Sequence, residues 1–345
     1  MADRLTKLVF VTQQVDPAHP ALAATVPKVR ALAARVDELV VLADEAVPEA
    51  LPANCRVHSF RARAKARRGL RFETALAREL RGLSAVVAHM CPIYAVLAAP
   101  VVRPLRVPLV LWFTHWRASR LLRLAERAST AVATVDRRSF PLPSPKVRPI
   151  GHGIDFSEFP CVEPRRDSVL HVLALGRYSP AKGLETVLRA LAQVDDARLV
   201  VHGPALTEHE RSHRGELLKL AAHLGLVGRV HLEDAVNRAQ VPKLFAENDL
   251  LANNMRAGAP DKAVYEAAAS CLPVVASNPV FDSLLEPELR FERDDPRELA
   301  ERLRAFAALA PAQRAKLGRA LHDRVAEAHS VESWADGILA TAGLR

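Results

Sequence analysis

Short runs of apolar, often β-branched residues alternate with segments of helical periodicity along almost the whole chain. Parallel strands buried on both faces read as such runs, and the helices between them cover the sheet. The first series of predicted strands comprises residues 8–12, 39–43, 57–60, 85–89, 109–114, 131–135 and 147–150. The second series comprises residues 170–175, 199–202, 230–233, 249–252 and 274–277. The alternation therefore predicts an α/β fold with parallel sheets.

Between the two series lies a polar segment, residues 155–167, which carries two prolines and is typical of a linker. A chain of 345 residues is long enough for two domains of roughly 150 residues each. We predict two Rossmann-like domains, residues 1–157 and 158–328, and a C-terminal helix in 329–345 that packs back on the first domain. Such domains bind ligands at the carboxyl ends of their strands.

The net charge of +9 and the pI of about 9.8 favour an anionic partner or an anionic surface. Much of the excess is concentrated in one segment, formed by Arg61, Arg63, Lys65, Arg67, Arg68 and Arg71. Few aromatic residues are interleaved with it, which argues against nucleic acid as the partner. Two interpretations remain, a solvated face or contact with anionic lipid headgroups, with Leu70, Phe72 and Leu76 as apolar contacts.

Four scattered cysteines, Cys55, Cys91, Cys161 and Cys271, form no C-x-x-C pair. This pattern predicts free thiols in a cytoplasmic protein, without a disulfide framework or a zinc site. The apolar runs, including the one near the start, are too short for a signal peptide or a membrane-spanning helix.

Residues 253–278 read as a loop broken by Gly and Pro, then a helix, then a short buried strand. Pro260 and Asp261 suit a helix start, and Lys262 and Glu266 lie four apart on one face. A helix N-terminus beside a lysine can bind phosphate, and a carboxylate one turn deeper can accept hydrogen bonds from a ribose. The alternative is an ordinary amphipathic helix with a surface Lys–Glu pair.

A second basic loop, residues 176–183, follows the predicted strand 170–175. Gly176 allows a sharp turn at the strand end, where ligands bind in this architecture. Arg177 offers a planar fork for phosphate, and Lys182 adds a point charge. Two basic strand-end loops of one domain can converge on one diphosphate.

The segments ALGRYSPAKGLETVLRAL and PDKAVYEAAASCLPVVAS resemble the donor-binding signatures of glycosyltransferase family four. Similar matches occur in VLWFTHW, KVRPIGHGIDFSEF and HLGLVGRVHLEDAV, so the resemblance covers both predicted domains in order. It implies the GT-B architecture, two facing Rossmann-like domains with a cleft between them. It also implies a retaining, metal-independent enzyme without a cofactor, which moves a sugar from a nucleotide-diphosphate donor to a hydroxyl acceptor. The acceptor can be a glycan, a lipid-linked molecule or a small molecule.

By this resemblance Arg177 and Lys182 neutralise the donor diphosphate, and Glu266 holds the ribose hydroxyls. The expected donor-binding set further contains Gly176, Gly258, Asp261, Lys262 and Ala263. Gly258 departs from the family pattern, because the family usually has a glutamate there that contacts the transferred sugar. Some branches instead carry a proline-x-lysine before the second glutamate, as Pro260 and Lys262 do here. The departure thus predicts that different residues bind the donor sugar.

In the first domain, His115 matches a family histidine at a strand end, which would hydrogen-bond the sugar or its phosphate. The alternative is a capping or core histidine. Asp16, in the loop QQVDPAH that replaces the family's Gly-rich loop, and His89, at another predicted strand end, are acceptor-side candidates.

One motif points to a different class of protein. His209, Glu210 and His213 form a literal H-E-x-x-H, the zinc-hydrolase signature, and Glu233 is a possible third ligand. The surrounding residues are charged, whereas a zinc cleft is usually dry, so we interpret the match as chance. A zinc hydrolase and an inactive nucleotide-sugar-binding protein remain the alternatives to a transferase.

Overall fold

The computed structural model describes residues 5–19, 22–165 and 168–344. The chain forms two compact units, of which unit 1 comprises Met1–Ile154 and Ala328–Arg345, and unit 2 comprises Asp155–Glu327. Residues 155–157, which the sequence assigns to the first domain, thus belong to unit 2. Arg166 and Asp167 of the predicted linker lie outside the described residues.

Unit 1 contains a seven-stranded parallel sheet in the order β3-β2-β1-β4-β5-β6-β7. Its strands are β1 (Lys7–Val15), β2 (Glu38–Ala46), β3 (Cys55–Ser59), β4 (Leu83–His89), β5 (Leu109–Trp112), β6 (Ala131–Thr134) and β7 (Val147–Pro149). The helices between them are α1 (Thr25–Ala33), α2 (Lys65–Arg78), α3 (Pro92–Val102) and α4 (Arg120–Ala128). The strand order reverses between β1 and β4, which makes this the switch point of the sheet.

Helices α2, α3 and α4 lie side by side on one face of this sheet. Phe72 and Leu76 of α2 pack with Tyr94 of α3 in one buried cluster. Ala95 of α3 packs with Leu122 of α4 in the next. The three helices therefore form one layer whose outer side faces away from the sheet.

Unit 2 contains a five-stranded parallel sheet in the order β10-β9-β8-β11-β12. Its strands are β8 (Leu170–Leu175), β9 (Ala197–His202), β10 (Val230–Glu233), β11 (Leu250–Asn253) and β12 (Val274–Ala276). Its helices are α5 (Leu184–Leu191), α6 (Glu208–His223), α7 (Val241–Ala246), α8 (Lys262–Ala269), α9 (Pro296–Ala307) and α10 (Pro311–His329), of which the last two residues, Ala328 and His329, already belong to unit 1. The switch point lies between β8 and β11.

The last helix, α11 (Val331–Thr341), follows the return of the chain to unit 1 and packs against α1. Its fully buried Trp334 meets Trp112, the last residue of β5, edge to face with ring centroids 6.1 Å apart. A helix from the C-terminus thus covers part of the sheet of unit 1.

The predicted α/β fold with parallel sheets is confirmed, and all twelve predicted strands are present. The bounds of β8 and β10 agree with the prediction, whereas β1 extends three residues further, to Val15. Among the described residues, no helix combines the length and the apolar character needed to span a bilayer.

The prediction of four free thiols is wrong for two of them, since Cys161 and Cys271 form a disulfide. The segment after Pro160 runs beside the end of α8, where the Val162 N–H donates to the Ser270 carbonyl at 2.8 Å. This contact brings together two residues that are 110 positions apart in the sequence. Cys55, which is half-buried, and Cys91, which is buried, remain free.

Candidate functional site

Two loops meet at the switch point of unit 2. The first follows β8 and the second follows β11, so both leave the carboxyl edge of the sheet. The Arg256 N–H of the second loop donates to the Ala181 carbonyl of the first at 3.0 Å. The Asn254 side-chain amide donates to the Gly183 carbonyl at 3.1 Å. The structure therefore brings the two basic loops into direct contact.

Glycine is required at the end of β8 for steric reasons. Gly176 has a φ of +131°, and a Cβ there would lie 2.3 Å from the Lys182 ammonium nitrogen. A Cβ on Gly203, at the end of β9, would lie 1.9 Å from the Gly176 carbonyl oxygen. The absence of side chains thus lets Lys182 and both strand ends approach each other closely.

Arg177 is held from one side by a buried carboxylate. Its Nε donates to Glu210 Oε1 at 2.9 Å, and its Nη2 lies 2.6 Å from the same oxygen. Burial favours a higher pKa for Glu210, but hydrogen bonds from the Leu206 N–H and from Arg177 outweigh it and lower the pKa. The Arg177 side chain keeps 53% of its exposure, so part of the guanidinium faces solvent from a fixed position.

Lys182 points back into the same site. Its ammonium donates to the Leu175 carbonyl at 2.9 Å and forms an ion pair with Asp261. The Asn253 amide donates to the same Asp261 oxygen at 2.7 Å. Asp261 is also the N-cap residue of α8, so the pair connects the two loops at the start of that helix.

Glu266 lies one turn into α8 and is buried. Its Oε1 accepts from Arg238 Nη1 at 2.6 Å and lies 3.0 Å from the Lys262 ammonium. Arg238 also donates to Glu158 at 2.7 Å. Burial favours a lower pKa for Arg238, but the negative charges of Glu266 and Glu158 outweigh this effect and raise the pKa of Arg238. Lys262 and Glu266 share one face of α8, as predicted, and form an ion pair, although Glu266 is buried and the pair is not a surface one. Arg238 is a partner that the sequence patterns did not indicate.

Gly258 occupies the position where the resemblance leads us to expect a glutamate. Its φ is +77°, and its N–H donates to the Asn278 side chain at 3.3 Å. The Asn278 amide in turn donates to the carbonyls of Arg256 and Ala259, at 2.9 and 2.8 Å. The loop backbone is therefore shaped for glycine here, and the buried Asn278 fixes it. Ala263, in the first turn of α8, is buried.

The H-E-x-x-H residues have other contacts. Glu210 forms a capping box with Thr207 at the start of α6, in addition to its pair with Arg177. His209 is exposed, and His213 is buried with Glu185 and Glu216 each 3.6 Å from its ring nitrogens. The glutamate of the motif is thus bound to an arginine of the strand-end loop.

Among the described residues, one group of three side chains has ligand atoms close enough to share a metal ion. It consists of Cys161, Cys271 and His322, whose ligand atoms lie within 4.8 Å of one another. The two cysteines are bonded to each other. His209 and His213 are not part of this group.

His115 lies in unit 1, in the loop after β5, and is exposed. The Arg117 N–H donates to its Nδ1 at 2.9 Å, so the neutral ring carries its proton on Nε2. Partial burial and the charge of Arg117 lower the pKa of this imidazole. His115 is therefore a neutral donor of fixed orientation at neutral pH.

The two acceptor-side candidates have structural contacts. His89 is buried at the end of β4, stacked on Trp112 at 4.8 Å and 3.3 Å from the Thr12 hydroxyl. Burial and the charge of Lys28 lower the pKa of His89 well below its ordinary value. The ring is covered, so His89 lies in the core of unit 1, and its role on the acceptor side stays a prediction. Asp16 accepts from the Ala18 N–H at 2.8 Å and shapes the turn after β1.

A groove of about 710 Å³ opens at the carboxyl edge of the sheet of unit 1. Its polar lining includes Gln14, His19 and Asp44, and its apolar lining includes Ile93 and Leu121. Ligands of such sheets bind at this edge, and the groove lies beside the loop that contains Asp16.

The basic segment of residues 61–71 leads into α2. Arg61 pairs with Glu45, Arg68 lies 3.5 Å from Asp44, and Arg71 donates to the Arg61 carbonyl. The exposed cations of the segment also include Arg63, Lys65 and Arg67. The expected apolar contacts are wrong for Phe72 and Leu76, which are fully buried, whereas Leu70 is 63% exposed.

Residues 170–308 match the family described as "Glycosyl transferases group 1". No curated protein matches the chain. The HepE protein of Anabaena, solved with UDP and glucose, is similar in structure, with a TM-score of 0.75 and 19% identity over 98% of this chain and 99% of that one. A glycosyltransferase of Rickettsia africae gives a TM-score of 0.78 and 12% identity over 98% of each chain.

A third similar structure is sucrose-phosphate synthase of Thermosynechococcus elongatus, with a TM-score of 0.73 and 16% identity over 96% of this chain and 97% of that one. These likenesses extend over both units, whereas the family match falls within unit 2. The chain thus has the GT-B fold of these glycosyltransferases, and its second unit matches the group 1 glycosyltransferase family.

Proposed function

We propose that the protein is a retaining, family-four glycosyltransferase that moves a sugar from a nucleotide-diphosphate donor to a hydroxyl acceptor. The observation that carries the proposal is the contact between two cation-bearing loops at the switch point of unit 2. HepE, a neighbour in fold, is solved with UDP and with UDP-glucose, which supports a nucleotide-sugar as the donor.

The donor diphosphate is proposed to bind Arg177, Lys182 and the backbone amides at the start of α8. Arg177 presents the guanidinium edge that Glu210 leaves uncovered. Lys182 has three N–H groups, and the Leu175 carbonyl and Asp261 account for two of them. Helix N-termini add partial positive charge at the same place. The carboxylates therefore orient the cations without saturating them.

The ribose is proposed to bind Glu266, as the resemblance implies. Glu266 is already oriented by Arg238 and Lys262, which both contact its Oε1. Donor hydroxyls would share or replace these two cationic partners. Arg238 is then a positioning residue for Glu266, since it binds the carboxylate and also Glu158.

The chemical role proposed for Arg177 and Lys182 is to stabilise the negative charge that develops on the leaving nucleotide diphosphate. In this proposal the two cations take the place of a divalent metal. We therefore expect transfer to persist in excess EDTA. His115 is proposed to donate a hydrogen bond from its Nε2–H to the transferred sugar, since Arg117 fixes the opposite nitrogen as an acceptor. Retention of configuration is inferred from the family resemblance alone.

The test combines binding and turnover. Calorimetry with UDP, GDP and ADP identifies the preferred nucleotide, and the same titration is repeated with Arg177→Ala and Glu266→Ala. Each variant loses a charge-assisted hydrogen bond, so we expect a cost of about 1.5–3 kcal/mol in binding. His209→Ala, an exposed change on α6, serves as the matched control. Wild-type affinity in both site variants contradicts the assignment.

One observation keeps an inactive nucleotide-sugar-binding protein as the second candidate. The family glutamate is replaced by Gly258, whose positive φ disfavours any larger side chain. Incubation with the preferred nucleotide-sugar in the absence of acceptor distinguishes the two, because an active transferase slowly hydrolyses its donor. Product formation with a hydroxyl acceptor, and the anomeric configuration of that product, then test transfer and retention.

We also propose that a cytoplasmic enzyme of this kind contacts an anionic membrane surface through residues 61–71. Arg63, Lys65 and Arg67 are exposed and support the proposal. Binding to anionic vesicles that weakens as salt is raised is expected, whereas charge-independent partitioning contradicts it.

A further inference from the structure

The exposed large apolar side chains described in unit 1 are concentrated in the α2–α3–α4 layer and the turn beside it. Among the described residues of unit 1, six large apolar side chains are exposed, and five of them belong to this layer and the turn beside it. These five are Leu70, Ile93, Leu105, Leu121 and Leu124, with exposures of 63%, 42%, 54%, 38% and 52%. Single exposed leucines need no explanation, but five exposed apolar side chains on neighbouring helices of one layer and the adjoining turn do.

Helix α4 concentrates the pattern. Its inner face is anchored by Leu122 and Ala125, which are buried. Its exposed arc carries Leu121 and Leu124 along one side and arginines along the other. The exposed arginines of this helix are Arg120, Arg123 and Arg127. An amphipathic surface helix of a globular protein exposes its polar face, whereas this helix exposes leucines as well.

The surroundings of α4 are also cationic. Arg117 precedes the helix and is exposed, and Arg103 donates to the Arg127 carbonyl at 3.0 Å, which ties the 3-10 turn Arg103–Leu105 to the end of the helix. The single acidic residue of α4, Glu126, is partly buried and accepts from Ser144 at 2.7 Å. The exposed face therefore combines positive charge with apolar side chains.

We propose that this face of α4, together with Ile93 and Leu105, docks on an anionic lipid bilayer. Leucines inserted at the headgroup boundary and arginines that contact anionic headgroups are the two components of interfacial binding. The charge is complementary to such a surface. The proposal extends the membrane contact beyond the polybasic segment 61–71, and it does not depend on the transferase activity.

The docking face adjoins the groove at the carboxyl edge of the sheet. Ile93 and Leu121 belong to both, since they are exposed and also line the groove. If the proposed transferase activity holds, a hydroxyl acceptor carried on a lipid would enter the groove from the bilayer side. Vesicle binding tests the docking, and the transfer assay described above tests the activity, so the two can fail separately.

The experiment is sedimentation of the whole protein with vesicles of phosphatidylcholine alone and of phosphatidylcholine mixed with phosphatidylglycerol. The double variants Leu121→Gln/Leu124→Gln and Arg120→Gln/Arg123→Gln should each bind the anionic vesicles about tenfold more weakly. Raised salt should weaken wild-type binding and affect the arginine variant less.

Leu218→Gln is the matched control, because Leu218 is 52% exposed like Leu124 but lies on α6 of unit 2. It should bind as the wild type does. Thermal unfolding of each variant checks that the fold is intact. Wild-type binding in both α4 variants overturns the proposal, as does equal binding to neutral and anionic vesicles. Loss of binding in Arg63→Gln/Arg67→Gln alone would move the contact to the polybasic segment and likewise overturn it.

Discussion

In unit 2 the chain that follows β8 carries cations paired with carboxylates, whereas in unit 1 the strands β4 and β5 end in buried rings. Arg177 and Lys182 lie beside the end of β8, each with a carboxylate partner. In unit 1, His89 ends β4 and Trp112 ends β5, and their rings are stacked. Both sheets are doubly wound, so the topology alone predicts a ligand site at the carboxyl edge of each. The side chains at that edge determine what each site can bind.

The ring cluster of unit 1 encloses a cation of its own. The Lys28 ammonium lies 4.0 Å from the ring centre of Trp112 and 5.0 Å from that of Trp334. Lys28 is buried, so this cation is part of the core and cannot meet a ligand from solvent. A cation near the strand ends thus indicates a ligand site only where it is also accessible, as Arg177 is.

The largest expected effect concerns the cation deepest in the site of unit 2. Lys182→Ala should lower the transfer rate about 100-fold or more, because it removes charge stabilisation at the leaving diphosphate. Steady-state kinetics with the preferred donor measure it. Lys219→Ala, an exposed lysine on α6 of the same unit, is the control and should leave the rate unchanged. Equal rates in the two variants would remove Lys182 from the site.

The next expected effect is a loss of stability of unit 1 at low pH. Burial lowers the pKa of His329, in unit 1, to about 4. The unfolded chain then binds more protons below about pH 6.5, so stability falls as the pH drops towards 4. For His329 the loss between pH 7 and pH 5 is about 2 kcal/mol. His89, also buried in unit 1 with a lowered pKa, acts in the same direction.

Tryptophan fluorescence reports this loss selectively, since all three tryptophans, Trp112, Trp116 and Trp334, lie in unit 1. Urea unfolding followed in this way should have a lower midpoint at pH 5 than at pH 7. His329→Gln should reduce the difference. An unchanged midpoint at the two pH values would mean that these histidines titrate normally.

A smaller effect tests whether unit 1 contributes to the chemistry at all. His115→Ala should lower kcat about tenfold, the cost of one lost hydrogen bond to the sugar, with nucleotide affinity unchanged. His209→Ala, another exposed histidine, is the comparison and should retain the wild-type rate. If His115→Ala weakens nucleotide binding instead, the imidazole acts on the phosphate.

The smallest expected effect concerns Asp261, whose carboxylate pairs with Lys182 in the proposed diphosphate site. Asp261→Asn can still accept a hydrogen bond from Lys182 but removes a negative charge, so nucleotide diphosphate should bind about fivefold more tightly. Asp196→Asn, an exposed residue of the same unit, controls for net charge. Weaker binding in Asp261→Asn would mean that the carboxylate is needed to hold Lys182 in place.

Sequence patterns predicted the structural features that depend on residues adjacent in the sequence. The strands β8 and β10 and the glycine at the end of β8 follow from apolar runs and turn chemistry. Contacts between distant residues could not be predicted, because tertiary packing creates them. The pairs Arg177–Glu210 and Arg238–Glu266 join residues 33 and 28 positions apart, and Cys161–Cys271 joins residues 110 apart.

His89 illustrates a second case in which the local pattern is not enough. A histidine at a strand end has the same local pattern whether it faces a ligand or the core. Trp112 and Trp334, which come from another strand and from the C-terminal helix, meet its ring and make it part of the core. His115 stacks on its neighbour Trp116 at 5.3 Å but is exposed. Accessibility, which a single sequence does not encode, distinguishes the two histidines.

The most direct test of the central claim is hydrogen exchange by mass spectrometry, with and without the preferred nucleoside diphosphate. Binding at the switch point of unit 2 predicts protection in peptides that cover residues 176–183 and 254–266, because both loops would contact the ligand. Peptides from the strand ends of unit 1, around His89 and Trp112, should be unchanged. Protection confined to unit 1, or none in the two loops at saturating nucleotide, would contradict the claim.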